Sequence, residues 1–266
     1  YEMVEGARIK SWKAGGHGLQ TFLQVLENSS NPGFVEISRR MGLENLYEYV
    51  MRFGFGTKTG VDMPGESSGI MFAKHAMGPV EQATVAFGQG ISVTPIQLVT
   101  AFSAIINGGI LYKPYITKSI NDPITHDPIV EVKPTKQRRV ISEETSKQMR
   151  YALESVVANG GGKPAYLEGY QIGGKTGTAQ KAENGVYSHS NYILSFLSAA
   201  PMNDPQIVLY VAADSPNNDI LYGGTVIAPI VKACYEDILP YLGIEKVEKQ
   251  IPKKLVWPET ENIVLQ

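Results

Sequence analysis

The sequence predicts an α/β chain of the α+β type: an antiparallel sheet covered by helices beside an all-helical lobe. Three observations carry this expectation. From about 19 to 107 the apolar residues recur at helical spacing between glycine and proline breaks. Past residue 110 the texture turns extended. Three late runs, 170–179, 191–199 and 206–213, alternate like strands able to pair as antiparallel hairpins, and a helical run across 226–239 follows them.

Element by element, residues 2–12 read as a strand or hairpin around Gly6, and "KAGGHG" as a turn. Residues 19–28 have helical spacing. Pro32 suits the first turn of a second helix, which runs to Met41, and 43–53 reads as a third. "FGFGTKTGVDMPGESSG" is a long loop, and "PVEQATVAFGQG" a short helix stopped by glycines. "TPIQLVTAFSAIINGG" is a firm helix, with Thr94 at the N-cap, Pro95 inside it and paired glycines after its end. Residues 110–119 and 128–133 read as extended, and 142–157 as a helix with Ser142 and Thr145 near its start. The tail from Glu245 is charged and punctuated by proline, so 244–266 reads as a linker or extension. The opening "YEMVEGARIKSW" alternates like a strand already under way and reads as the start of a fragment.

Composition narrows the function. With 43% hydrophobic and 19% charged residues a sizeable core is expected. A net charge of −2 without charge blocks argues against nucleic acid and against a membrane-surface patch. The single cysteine, Cys234, excludes an internal disulfide and a cysteine-based metal cluster. No two of the four histidines stand at i, i+4, so no metal site is expected; His189 receives no role, and Trp12 and Trp257 read as packing residues.

Two motifs compete within "GYQIGGKTGTAQ". Gly169 to Thr176 fits G-x-x-x-x-G-K-[ST], but a phosphate-binding loop needs a strand before it and a helix after it. Here the alternation runs through the motif, and Gly-Thr-Ala-Gln follows Thr176. "GESSG" at 65–69 fits G-x-S-x-G, yet Pro64 and neighbouring glycines make it a turn. Lys175-Thr176-Gly177 is also the K-T-G triplet of the penicillin-interacting serine enzymes, and it has a partner: Ser29-Ser30-Asn31 forms an S-x-N triplet between two helices.

Ser29-Ser30-Asn31, "FGQGISVTPIQLVTAFSAIINGG" (87–109), "GGKTGTAQ" (173–180) and "YGGTVIAP" (222–229) together resemble the transpeptidase domain of class B penicillin-binding proteins. The resemblance covers about 1–243, with the helical lobe at about 19–107, and is nearest to the division and sporulation enzymes of Gram-positive bacteria. It implies the penicillin-binding transpeptidase or serine β-lactamase-like fold. It also implies a peptidoglycan D,D-transpeptidase that works through a serine acyl-enzyme, needs no cofactor or metal, and is a target of β-lactams. Stem peptides, β-lactams and a membrane glycosyltransferase are the implied partners. The implied location is the extracytoplasmic face of the cell membrane, with the anchor outside this chain.

Carried over residue by residue, the resemblance makes Ser29, Asn31 and Lys175 catalytic. Ser29 would relay a proton to the leaving amine, and Asn31 would hold substrate backbone or a catalytic lysine. Lys175 would attract the substrate carboxylate. Ser30, Thr176, Gly177 and Thr178 complete the substrate-binding set. Gly177 would let substrate approach the strand, and the Thr178 backbone N–H would supply half of an oxyanion hole. One departure stands out. The family nucleophile is the serine of an S-x-x-K motif, and no serine here has lysine three positions on; Ser11 precedes Lys13, and Ser146 precedes Lys147 directly. The resemblance therefore implies a domain incomplete at its N-terminus and inactive alone. Two alternatives stay open: a non-catalytic scaffold that binds cell-wall peptide or a division partner, and a D,D-carboxypeptidase or β-lactamase that uses water as acceptor.

Overall fold

The computed structural model describes residues 1–183, 186–217, 222–247 and 264–265. The chain opens with the hairpin β1 (Glu2–Val4) and β2 (Ala7–Ile9). Its two turn residues, Glu5 and Gly6, both have positive φ, as a two-residue primed turn requires. Val4 and Ile9 point into a small core with Val35 and Ala83. β3 (Gln20–Thr21) then leads into α1 (Phe22–Asn28), where Thr21 and Gln24 form a reciprocal capping box.

α2 (Asn31–Met41) starts at once, with Ser30 as its N-cap and Pro32 in its first turn. The two helices lie close because residue 33 is glycine: a Cβ there would stand 2.5 Å from a methyl of Val25. α3 (Leu43–Arg52) and α4 (Pro79–Ala86) follow, separated by the expected long loop. α5 (Pro95–Ile106) begins at Thr94 with a second capping box. Its buried Gln97 also donates to the carbonyls of Thr57 and Ser68, which ties down that loop. "GESSG" is turn and loop, as expected, with Glu66 accepting from the amides of Thr59 and Gly60.

The extended region holds β4 (Ile110–Lys113), β5 (Ser119–Asn121), β6 (Pro128–Glu131) and β7 (Thr135–Arg139), paired β4 with β7 and β5 with β6. β7 is an addition to the sequence reading. Its five residues are all exposed, so it carries no apolar alternation to betray it. α6 (Glu143–Asn159) is capped by Ser142.

The main sheet contains β8 (Gly173–Glu183), β9 (Val186–Ala200) and β10 (Ile207–Asp214), all antiparallel in the order β10-β9-β8. Helix α7 (Gly223–Val226) and helix α8 (Ala228–Tyr241) share the expected 226–239 region, with a break at Ile227. The short β11 (Val264–Leu265) pairs with β3 inside the stretch expected to be linker. Both faces of the sheet are covered. Leu194, Phe196 and Ala200 pack with Val231, Tyr235 and Leu239 of α8. Ala199 packs with Leu153 of α6 and with Phe102 and Ile106 of α5, so α5 serves both the helical half and the sheet. Register then assigns the faces of β8: Gly173, Lys175 and Gly177 share the α6 side, while Thr176 and Thr178 share the other.

Candidate active site

Lys175 and Ser29 meet. The Lys175 Nζ donates to Ser29 Oγ at 2.7 Å, across 146 positions of chain, and to the Thr176 carbonyl at 3.0 Å. β8 is an end strand of the three-stranded sheet, and among the described residues its outer edge has no partner strand. Strand runs unbroken through Lys175, Thr176 and Gly177 into Glu183, which removes the phosphate-loop reading. Lys175 is half-buried. Desolvation lowers its pKa from 10.5 to about 8.

Ser29 occupies the C-cap of α1 in the left-handed conformation, φ 51° and ψ 49°. Glycine is the usual occupant of such a helix end, and a serine there costs about 1 kcal/mol. The neighbourhood holds it in place. A helix end leaves four carbonyls without intrahelical partners, and here each has a donor. Val25 O accepts from the Ser30 amide, Leu26 O from the Ser29 amide and Glu27 O from the Gly161 amide. Asn28 O accepts from the indole of Trp12 at 2.7 Å. Ser29 Oγ is thus presented to Lys175 by a fully tied turn.

The other expected site residues fall in varied places. Asn31 opens α2, and its amide donates to Lys10 O at 3.3 Å. Ser30 is 4% exposed, and its hydroxyl accepts from the Gly33 amide, capping α2. Thr178 is exposed, and its hydroxyl accepts from the Gly223 amide at 3.1 Å. Thr176 is half-buried beside it. Gly177 is glycine over a neighbouring strand: a Cβ there would stand 2.5 Å from Ser195 Oγ. A Cβ on Gly223 would collide with Gly177 O and stand 2.8 Å from Ser195 O. The start of α7 therefore rests against the K-T-G strand only because residue 223 is glycine. Gly224 is equally tight, since a Cβ there would sit 2.5 Å from Gly161 O.

Sequence reasoning missed several neighbours. Trp12 is 53% exposed, and its ring contacts His17 at 5.4 Å and Tyr222 at 5.9 Å between centroids. It borders the site and is no core residue. His17 has its pKa lowered by desolvation and by Lys13. "YGGTVIAP" was visible as a pattern, but nothing in it revealed that its glycines abut Gly177 and Gly161. The Tyr187 hydroxyl accepts from the Gly90 amide at 2.9 Å, joining the β8–β9 hairpin to the Gly-Gln-Gly loop. The side chain of His189 lies outside the described residues. Among the described residues no three His, Cys, Asp or Glu side chains gather to hold a metal ion, and no helix is long and apolar enough to cross a membrane.

This lysine–serine pair at a strand edge has relatives. Residues 1–236 match the model of the penicillin binding protein transpeptidase domain. Stage V sporulation protein D of Bacillus subtilis is 56% identical over 260 residues, covering 98% of this chain and 40% of that protein. Peptidoglycan D,D-transpeptidase FtsI of Escherichia coli is 32% identical, covering 85% of this chain and 36% of the relative. The transpeptidase domain of Burkholderia pseudomallei penicillin-binding protein 3 superposes with a TM-score of 0.81 at 33% identity, over 93% of this chain and 72% of that one. A mycobacterial penicillin-binding protein 3 complexed with ampicillin gives 0.77 at 29% identity, over 86% and 52%. The chain spans 40% and 36% of the length of these two curated relatives. A match over 236 of 266 residues, with a penicillin-binding transpeptidase fold in its solved neighbours, means that the chain belongs to the penicillin binding protein transpeptidase domain family.

Proposed function

We propose that this domain serves, within the whole protein, as the acyl-transfer centre of a peptidoglycan D,D-transpeptidase. The observation that carries the reading is the hydrogen bond from Lys175 Nζ to Ser29 Oγ beside the free edge of β8. A peptide ending in a carboxylate can lie along that edge by strand addition, with its acid drawn to the Lys175 ammonium and the threonine hydroxyls. The sequence holds no S-x-x-K, so the nucleophilic serine must come from outside these 266 residues.

That serine attacks the penultimate D-Ala carbonyl, forming an ester and breaking the amide bond to the last D-Ala. Ser29, held by Lys175, passes a proton to the departing amine. An amine of a second stem peptide then attacks the ester, takes the acyl group and returns a proton to the serine oxygen. The Thr178 amide acts as one donor to the tetrahedral oxyanion, and Asn31 positions the substrate. β-Lactams enter the same groove as mimics of the terminal dipeptide and stay attached as esters. Placement on the outer face of the cell membrane, alongside a membrane glycosyltransferase, belongs to the same reading.

Labelling with a fluorescent penicillin tests it. A whole protein that carries an S-x-x-K serine should form a covalent adduct, and the 266-residue chain alone should not. Absence of any adduct on the whole protein would overturn the proposal.

A further inference from the structure

The last turn of α1 is anchored at one point by a side chain that has no part in the expected chemistry. Glu27 Oε1 accepts a 2.5 Å hydrogen bond from Ser155 Oγ on α6. Ser155 is 1% exposed, and its oxygen also accepts from Asn159 Nδ2 at 3.0 Å. The backbone repeats the join: Gly161 donates to Glu27 O at 2.9 Å, and a Cβ on Gly160 would stand 2.5 Å from that same oxygen. α6 in turn supports the strand that carries the lysine, because Gly173 lies directly over the α6 backbone, where a Cβ would come within 2.9 Å of the Glu154 nitrogen. One rigid path thus runs from Ser29 through Glu27, Ser155 and α6 to β8 and Lys175.

We propose that Glu27 is a positioning residue: through Ser155 and Asn159 it clamps the end of α1 to the end of α6 and so sets the Ser29–Lys175 separation. The inference rests on the function proposed above, since it assigns Glu27 a part in presenting Ser29. Glu27 itself touches no reacting atom. Acyl transfer is sensitive to displacement on the scale of 1 Å, for which about a hundredfold in rate is typical. A serine in a left-handed pose at a helix end needs such outside support to keep one position.

The test uses the whole protein and benzylpenicillin, following acylation rate and final labelled fraction separately. Glu27→Ala is expected to slow acylation about tenfold to a hundredfold while the fraction finally labelled stays complete. Ser155→Ala should slow it comparably, and the double variant should be little slower than either single one, as for two ends of one link. Glu27→Gln keeps an acceptor for Ser155 and should recover most of the rate. A Glu27→Ala protein that acylates at the wild-type rate would overturn the proposal. So would one whose labelled fraction falls at unchanged rate, which reports unfolding alone. If wild-type protein never labels, the function fails and hydrogen exchange decides the anchor. Faster exchange at the Ser29 and Ser30 amides in Glu27→Ala supports the clamp, and unchanged exchange refutes it.

Discussion

Lys175 is a cation that the fold disfavours. Between pH 8 and 10.5 the folded chain has released a proton that the unfolded chain still holds, so this group's contribution to stability rises with pH across that window. Lys175→Met removes the penalty. Its stability relative to wild type should decline by about 2–4 kcal/mol as pH rises from 8 to 10.5, read by denaturant melts. A difference that is flat with pH would show that the ammonium is well solvated. Glu154 behaves oppositely. It is 8% exposed, and desolvation beneath β8 raises its pKa from 4.5 to about 7, against a weaker hydrogen bond from Gln171. Its stabilising contribution is complete below pH 4.5 and lost as pH climbs through 7. Glu154→Gln should therefore gain on wild type across that interval, by up to about 3 kcal/mol. Parallel stability curves for the two proteins would contradict this.

At the scale of elements, α7 is a four-residue helix held against β8 by the Gly223 amide on Thr178 and by the contact of glycine with carbonyl oxygen. A methyl group has no room there. Gly223→Ala should push α7 off the K-T-G strand, at about 1–3 kcal/mol of overpacking, and should slow penicillin acylation of the whole protein at least tenfold. Acylation at the wild-type rate would mean that α7 does not set the groove. Helix starts were legible in the sequence because caps are local: Thr94 with Gln97, and Ser142, announce themselves within four residues. β7 was not, because an exposed Thr-Lys-Gln-Arg-Arg strand gains its identity only from β4, more than twenty positions earlier. The capping role of the Ser30 hydroxyl was hidden for a related reason: S-x-N draws the eye to chemistry, while the structure shows that oxygen accepting from the Gly33 amide at the start of α2.

Taken as a whole molecule, the sheet, the helices over it and the two motif triplets could be read from the sequence, since alternation and K-T-G survive without coordinates. The means of bringing Ser29 to Lys175 could not. Glu27 meets Ser155 across 128 residues, and Trp12 reaches Asn28 across 16. No pattern in a single sequence links such positions. The same long hairpin that carries Lys175 also reaches the Gly-Gln-Gly loop through Tyr187. Sheet and helical half are therefore riveted at two separated places along their seam. They cannot hinge apart as jaws without breaking one rivet. Widening the gap between them would cost one of these hydrogen bonds, about 1 kcal/mol.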